Sequence, residues 1–467
     1  MMLQSALLLL ALTTGAWAQY NLTGKWDVTA TPEGKKPLKL DAQLKHEGAD
    51  LTGQVNSPLG SGPVRNAVFG NPSVSFQFLV GKYVFDVKAV PEGEELKGTF
   101  NGPRNMKGVF LAKRTAGPPI AAPVEGVETG KLGEAEYRID IPANFNGALV
   151  VYCHGYSPSP GKFQKDKAPS ETLKAFLDLG YAVAQSGYSK GGWAVKEAIE
   201  DTEALRKHFV SKYGKPKRTY VTGHSMGGTI TLALAESYPD AYDAALQMCG
   251  PIAPSHSMFQ RRLFDTLVIY DYYFPGMIGS PVEITDDVMN PLDLVQRIQK
   301  EATQYPDRLM AMQKFAGFQS DLEMAQVIAF YAAIQKEMMV RAGGNPFDNR
   351  NTLYQGTPDD GLINRGVKRY AAAPQAVDYL KKYYTPTASP KNPILSLHTV
   401  YDPLVPAWSV NGYTDLLHLN GGDANFVQRF VSRNGHCTFT PRETMNAFAD
   451  LVKWKESGTR PEGGEQK

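Results

Sequence analysis

The sequence predicts an α/β fold: a mainly parallel sheet with a helical cap insertion, preceded by a small antiparallel β-barrel or sandwich domain. Three observations carry this expectation. Short alternating segments fill the N-terminal hundred residues, an apolar strand and helix rhythm follows from about residue 127, and that rhythm is broken between Gly250 and Pro393 by a long stretch of helix-forming sequence.

Size and composition set the frame. With 467 residues the chain exceeds one ordinary domain, and two folded units are expected. Hydrophobic residues make up 42% and charged residues 21%, which supports a substantial core. A formal net charge of +2 with no extended basic run leaves no global attraction to nucleic acid or to an anionic membrane.

Residues 1–18 read as a secretory leader. An apolar run from Leu7 to Leu12 leads to Ala16-Trp17-Ala18, a small-x-small cleavage pattern that places the mature start at Gln19. No Lys or Arg precedes the run. The alternative, an uncleaved anchor, would need about 20 apolar residues to span a bilayer, and this segment is shorter. A secreted or periplasmic protein with no membrane span is therefore expected. Three cysteines, Cys153, Cys249 and Cys437, allow one internal disulfide and leave one thiol over, with the pairing open.

Residues 19–114 form the expected β domain. Lys25 to Ala30, Val74 to Val80 and Tyr83 to Val87 alternate in the manner of strands, and Gly, Pro and Asn divide them. Through Gly24-Lys25-Trp26 this portion resembles the lipocalin-like β domains. That likeness implies a ligand-binding or substrate-docking module. A barrel of this length, however, fills its interior with side chains, which favours a structural appendage. Residues 115–126, rich in Pro, Ala and Gly, read as a linker.

In residues 127–455, Ala148 to Cys153, Tyr181 to Gln185, Thr219 to Thr222, Ala244 to Met248, Ile394 to Leu397 and Phe426 to Val431 are the candidate strands. Glu171 to Leu179, Ala194 to Lys212, Gly227 to Tyr238 and Glu443 to Trp454 are the helices. Between about 251 and 390 lies the cap, with a helical stretch from Asp307 to Arg341 whose apolar residues recur at helical intervals. Residues 456–467 read as a polar tail.

The chemistry is read from Gly223-His224-Ser225-Met226-Gly227. This is a G-x-S-x-G turn between a buried strand run and a helix, where glycines are needed because the serine sits at strained dihedrals. A serine hydroxyl needs a base and an orienting carboxylate. Asp402, in Asp402-Pro403-Leu404-Val405-Pro406 after a strand, and His436, in Gly435-His436 before the closing helix, follow in the order Ser, acid, His. These motifs, with His154-Gly155-Tyr156 after the strand Ala148 to Cys153, resemble the α/β-hydrolase superfamily from about Glu134 to Trp454 outside the cap. The resemblance implies Ser225 as nucleophile, Asp402 and His436 as its triad partners, and an oxyanion hole from the backbone N–H groups of Met226 and Tyr156, with Gly155 permitting the turn. A turn-stabilising role is the alternative for Asp402. Trp193 and Tyr188, in the glycine-rich loop Ser186 to Trp193, are candidate substrate-pocket residues.

No phosphate loop, H-E-x-x-H helix or zinc-spaced Cys/His set is present in the sequence, so no cofactor and no metal are expected. The expected activity is hydrolysis of small-molecule or polymer carboxylic esters through an acyl-enzyme. An apolar or aromatic acyl group is expected from the aromatic and Met-rich cap. Two other readings are a serine peptidase resembling the prolyl oligopeptidases, and a non-catalytic ligand-binding protein. Composition gives no oligomeric state.

Overall fold

A computed structural model describes residues 22–466 apart from 48–49, 59, 70–72, 81–82, 93, 117–125 and 290. The expected leader and most of the expected linker lie outside the described residues.

Eight strands form a closed antiparallel barrel. They are β1 (Gly24–Pro32), β2 (Leu38–Glu47), β3 (Asp50–Ser57), β4 (Gly60–Phe69), β5 (Val74–Val80), β6 (Tyr83–Glu92), β7 (Glu95–Gly102) and β8 (Met106–Ala116). The alternation seen in the sequence becomes an inside and an outside: Trp26, Phe76, Phe78, Leu96, Phe100 and Phe110 point inward and are buried. β8 closes against β1 with Trp26 opposite Arg114, so no edge is left to pair with another chain. The Trp26 indole N–H donates to the Leu22 carbonyl, which satisfies the one polar atom of the barrel's largest core side chain. What remains inside is a cavity of about 10 Å³. That is at most the space for one water, so the barrel interior is a packed core and no ligand cup.

The second sheet has nine strands in the order β19-β18-β17-β14-β13-β11-β12-β10-β9. Its centre is parallel: β11 (Ala148–Cys153), β12 (Ala182–Ser186), β13 (Arg218–His224), β14 (Ala244–Met248), β17 (Ile394–Tyr401) and β18 (Phe426–Asn434). These are near-continuous apolar runs because helices cover both faces. Three edge strands were not expected. β9 (Gly126–Leu132) and β10 (Ala135–Ile141) form an antiparallel hairpin at one edge, so Gly126 begins a strand instead of ending a linker. At the other edge β19 (Gly464–Glu465) pairs with β18, which makes part of the polar tail a strand held by backbone hydrogen bonds.

Helices α1 (Glu171–Asp178), α2 (Val195–Tyr213) and α3 (Met226–Ser237) connect the central strands. α3 is almost wholly buried, which fits its position between the sheet and the rest of the body. Between β14 and β17 the cap comprises α4 (Ser255–Phe259), α5 (Asp265–Tyr273), a small hairpin of β15 (Gly279–Ser280) and β16 (Glu283–Ile284), then α6 (Pro291–Gln304), α7 (Pro306–Ala316), α8 (Asp321–Ala342), α9 (Asp360–Gly366) and α10 (Pro374–Lys382). The helical stretch expected from Asp307 to Arg341 is made of two helices. Gly317 ends α7 in the left-handed region at φ 75°, and Ser320 opens α8 by accepting the Glu323 N–H. α11 (Trp408–Asn420) and α12 (Pro441–Ser457) complete the body; Thr440 and Glu443 form a capping box at the start of α12. Among the described residues no helix is long and apolar enough to cross a membrane.

One cap residue gives a pH prediction. Asp265 is buried at the start of α5 and accepts from Gln260 and Tyr354. Burial pushes its carboxyl up to about 6, against the lowering effect of those two hydrogen bonds. Because the folded value lies above the ordinary one, the stabilising contribution of the proton is complete below about pH 4 and is lost as pH rises through about 6. Asn cannot ionise, so Asp265→Asn is expected to gain stability relative to the parent between pH 4 and pH 7, by roughly 1–3 kcal/mol. Thermal unfolding at a series of pH values checks this; a difference independent of pH would contradict it.

Candidate active site

The site lies at the C-terminal ends of the parallel strands, where an open α/β sheet presents its loops. β13 ends at His224 and α3 begins at Met226, so the chain reverses at Ser225. Ser225 has φ 57° and ψ −125°, a strained conformation for any residue with a side chain. The neighbouring glycines are dictated by space. A Cβ at Gly227 would come within 2.0 Å of the Cys153 carbonyl oxygen, and one at Gly223 within 2.4 Å of the same atom. Met226, as the first residue of α3, has an N–H with no partner inside the helix, and the helix dipole adds positive potential at that end.

The expected partners converge on Ser225. His436, in the loop after β18, places Nε2 2.8 Å from the Ser225 Oγ. Its Nδ1 lies 2.7 Å from Asp402 Oδ2. The other carboxylate oxygen of Asp402 accepts the backbone N–H groups of Leu404 and Val405, each at 2.9 Å. One oxygen of Asp402 thus stabilises the turn and the other faces the histidine. The carboxylate is fully buried, with these three bonds in place of water. Three further histidines near the sheet ends bond elsewhere: His154 to the Gly155 carbonyl, His224 to the Tyr152 hydroxyl and His398 to the Thr399 carbonyl. Burial holds His154 and His398 below the ordinary imidazole range, and it brings His224 down to about 4 with help from the charge of His436.

The loop after β11 reaches the serine. A Cβ at Gly155 would sit 3.3 Å from the Ser225 Cβ, so glycine there lets the Gly155-Tyr156 backbone lie against the nucleophile. Trp193 and Tyr156 both line the cavity over Ser225. Tyr188 does not, which corrects its expected role. It is fully buried behind the loop, stacks on His154 at 3.9 Å between ring centroids, and donates its hydroxyl to the His154 carbonyl. Its place is under the His154-Gly155 turn.

The cap supplies much of the remaining cavity wall, including Phe259, Arg262, Phe330, Tyr331 and Ile334; the sequence marks Phe330 and Ile334 only as apolar residues at helical intervals, and Phe259, Arg262 and Tyr331 not at all. Phe330 and Ile334 are four residues apart on α8 and present one face, a spacing that marks a buried face without saying what it faces. Arg262 donates to the Tyr331 hydroxyl at 2.9 Å, to the Ala316 carbonyl at 2.7 Å and to the Pro403 carbonyl. Tyr331 in turn donates to the Leu404 carbonyl at 2.6 Å. The enclosed space is about 30 Å³. That holds one or two waters, so an acyl group enters only when cap side chains move.

Cys249, just past β14, and Cys437, next to His436, form a disulfide, and Cys153 is the buried free thiol. The bridge closes 188 residues of chain and ties the histidine loop to the sheet. Loop-closure entropy for a span of this length is worth up to about 5 kcal/mol. Reduction, or the double change Cys249→Ser with Cys437→Ser, is expected to lower the unfolding temperature and to lower kcat by loosening His436. Parallel thermal melts and ester assays with and without reductant check both effects; unchanged turnover in the reduced protein would contradict the second.

The Esterase family model matches residues 202–323. Among curated relatives, an o-phthalyl amidase of Xanthobacter agilis is 24% identical over 411 residues, covering 72% of this chain and 88% of its own length. A monoacylglycerol lipase of Mycolicibacterium smegmatis is 27% identical over 156 residues, covering 32% of this chain and 53% of its own. Among solved structures, Candida antarctica lipase A in its closed state aligns with 85% of this chain and 82% of its own at 15% identity and a TM-score of 0.38. The sheet order and the strand-to-helix turn at Ser225 are those of the α/β-hydrolase fold. The chain's enzyme class is carboxylic-ester hydrolase.

Proposed function

We propose that this chain cleaves carboxylic esters through an acyl-enzyme on Ser225. The observation that carries the reading is the unbroken hydrogen-bond chain from Ser225 Oγ through His436 to Asp402, at a strand-to-helix turn that exposes the hydroxyl. Ser225 Oγ attacks the ester carbonyl as His436 Nε2 takes its proton. Asp402 fixes the tautomer and steadies the imidazolium. Negative charge on the carbonyl oxygen is met by the N–H of Met226 and of Tyr156. His436 then gives its proton to the leaving alcohol. A water attacks the acyl-enzyme by the same route, which restores the serine and releases the acid.

Trp193, Phe259, Phe330 and Ile334 around the serine suit an apolar or aromatic acyl group, and the small enclosed volume favours a short one. Export belongs to the same proposal: the expected leader and the Cys249–Cys437 bridge both suit an oxidising compartment. Amide cleavage is the second reading, favoured by the amidase among the relatives. Turnover of p-nitrophenyl butyrate and benzoate against the p-nitroanilides of the same acids separates the two. Faster ester turnover, with hexadecanoate poorer than butyrate, is expected. Anilide turnover exceeding ester turnover would replace the first reading by the second.

A further inference from the structure

α8 carries four side chains that reach active-site loops far away in sequence. Tyr331 holds the acid loop through the Leu404 carbonyl. Glu323 takes the hydroxyl of Tyr401, the last residue of β17. Six residues after Tyr331, the Glu337 carboxylate accepts the Tyr156 hydroxyl on Oε1 at 2.6 Å and the backbone N–H of Trp193 on Oε2 at 3.1 Å. One turn further, Arg341 donates to the Gly191 carbonyl and pairs with Glu197 at 3.1 Å.

The two loops that meet at Glu337 also hold each other. The Gly192 N–H donates to the Ser157 carbonyl at 2.7 Å. Gly192 has φ 76°, and a Cβ there would come 2.5 Å from Glu337 Oε2. One carboxylate oxygen thus holds the segment that contains Gly155 and Tyr156, whose backbone lies against Ser225, and the other holds the loop bonded to that segment. The Tyr156 ring packs edge-on against Phe330 of the same helix at 5.2 Å.

We propose that Glu337 is a positioning residue for the oxyanion hole: by gripping Tyr156 and Trp193 it fixes the Tyr156 main-chain N–H at the distance the developing oxyanion needs. The cap then completes the catalytic apparatus as well as covering it. This rests on the reading of Ser225 and Tyr156 given above. A donor is worth most when it is already aimed before the charge develops, and loosening it costs transition-state stabilisation while leaving ground-state binding nearly untouched.

Two variants test it by different routes. Glu337→Ala removes both acceptors, and Tyr156→Phe removes the hydroxyl while keeping the main-chain N–H. Each is expected to lower kcat on p-nitrophenyl butyrate by about 10- to 100-fold with KM changed less than about threefold. A trifluoromethyl ketone should lose affinity by the same factor as kcat/KM. The double variant should be no slower than the slower single one, because both changes break the same bond. Rates are taken per active site, titrated with a fluorophosphonate, so that misfolded protein does not count. Unchanged kcat per titrated site, multiplying effects, or a change in KM alone would overturn the proposal. If Ser225→Ala keeps its turnover, the underlying site reading fails. If Ser225→Ala is inactive while both variants keep full turnover, only the role of Glu337 fails.

Discussion

His436→Ala is expected to lower kcat on p-nitrophenyl butyrate by about 10⁴-fold or more, with KM little changed. The imidazole is the one base within hydrogen-bond reach of Ser225 Oγ, at 2.8 Å, among the described residues. No neighbour can stand in for it: His224 is held neutral by burial and its Nδ1 lies 3.3 Å from the Tyr152 hydroxyl, and His398 is buried on its own strand. Asp402→Asn should cost about 10³- to 10⁴-fold. An Asn oxygen can still accept from Leu404 and Val405, so the turn survives and only the charge and the histidine tautomer are lost. Steady-state kinetics of the two variants against the parent decides this. Retention of more than about a tenth of parental turnover in His436→Ala would mean that another group takes the serine proton.

Gly227→Ala is expected to be the most damaging single methyl addition near the site. The added Cβ would lie 2.0 Å from the Cys153 carbonyl oxygen and 2.8 Å from that of His154, backbone atoms that cannot swing aside. Strand β11, the elbow and α3 would have to separate, and nearly all of β11 and the middle of β13 are buried. A loss of about 4 kcal/mol or more is expected, seen as poor soluble yield or a large fall in unfolding temperature. Activity should fall with it although no reacting side chain is altered. A variant with parental unfolding temperature and turnover would show that the turn has slack, against the close approach described above.

The positions of Ser225, Asp402 and His436 were legible because each sits in a turn with its own backbone signature beside an apolar strand. Gly223 and Gly227 leave room for the elbow, Pro403 and Pro406 bound the acid loop, and Gly435 precedes the base. Gly155 was legible for the same reason. The edge strands were not. β9 is partly exposed along its whole length, so Glu128, Thr129 and Lys131 mask any alternation. β19 is held by main-chain pairing that side chains do not announce. Gly317 divides the helical stretch from Asp307 to Arg341 at a single left-handed residue, a boundary that the apolar periodicity on either side does not show. Tyr188 looked like a pocket residue because its loop follows a strand end; its burial beneath His154 is a matter of packing depth, which spacing does not encode. Glu337 was equally hidden, since an acid on a helix normally faces water and its partners lie 181 and 144 residues away.

The Ser225 hydroxyl is expected to become covalently acylated during turnover. Intact-protein mass spectrometry after incubation with a fluorophosphonate, followed by peptide mapping, tests it most directly. One adduct per chain, located on Ser225 and absent from Ser225→Ala, is the expected result, with loss of ester turnover in step with labelling. A labelled Ser225→Ala variant, or an unlabelled parent that still hydrolyses p-nitrophenyl butyrate, would contradict it.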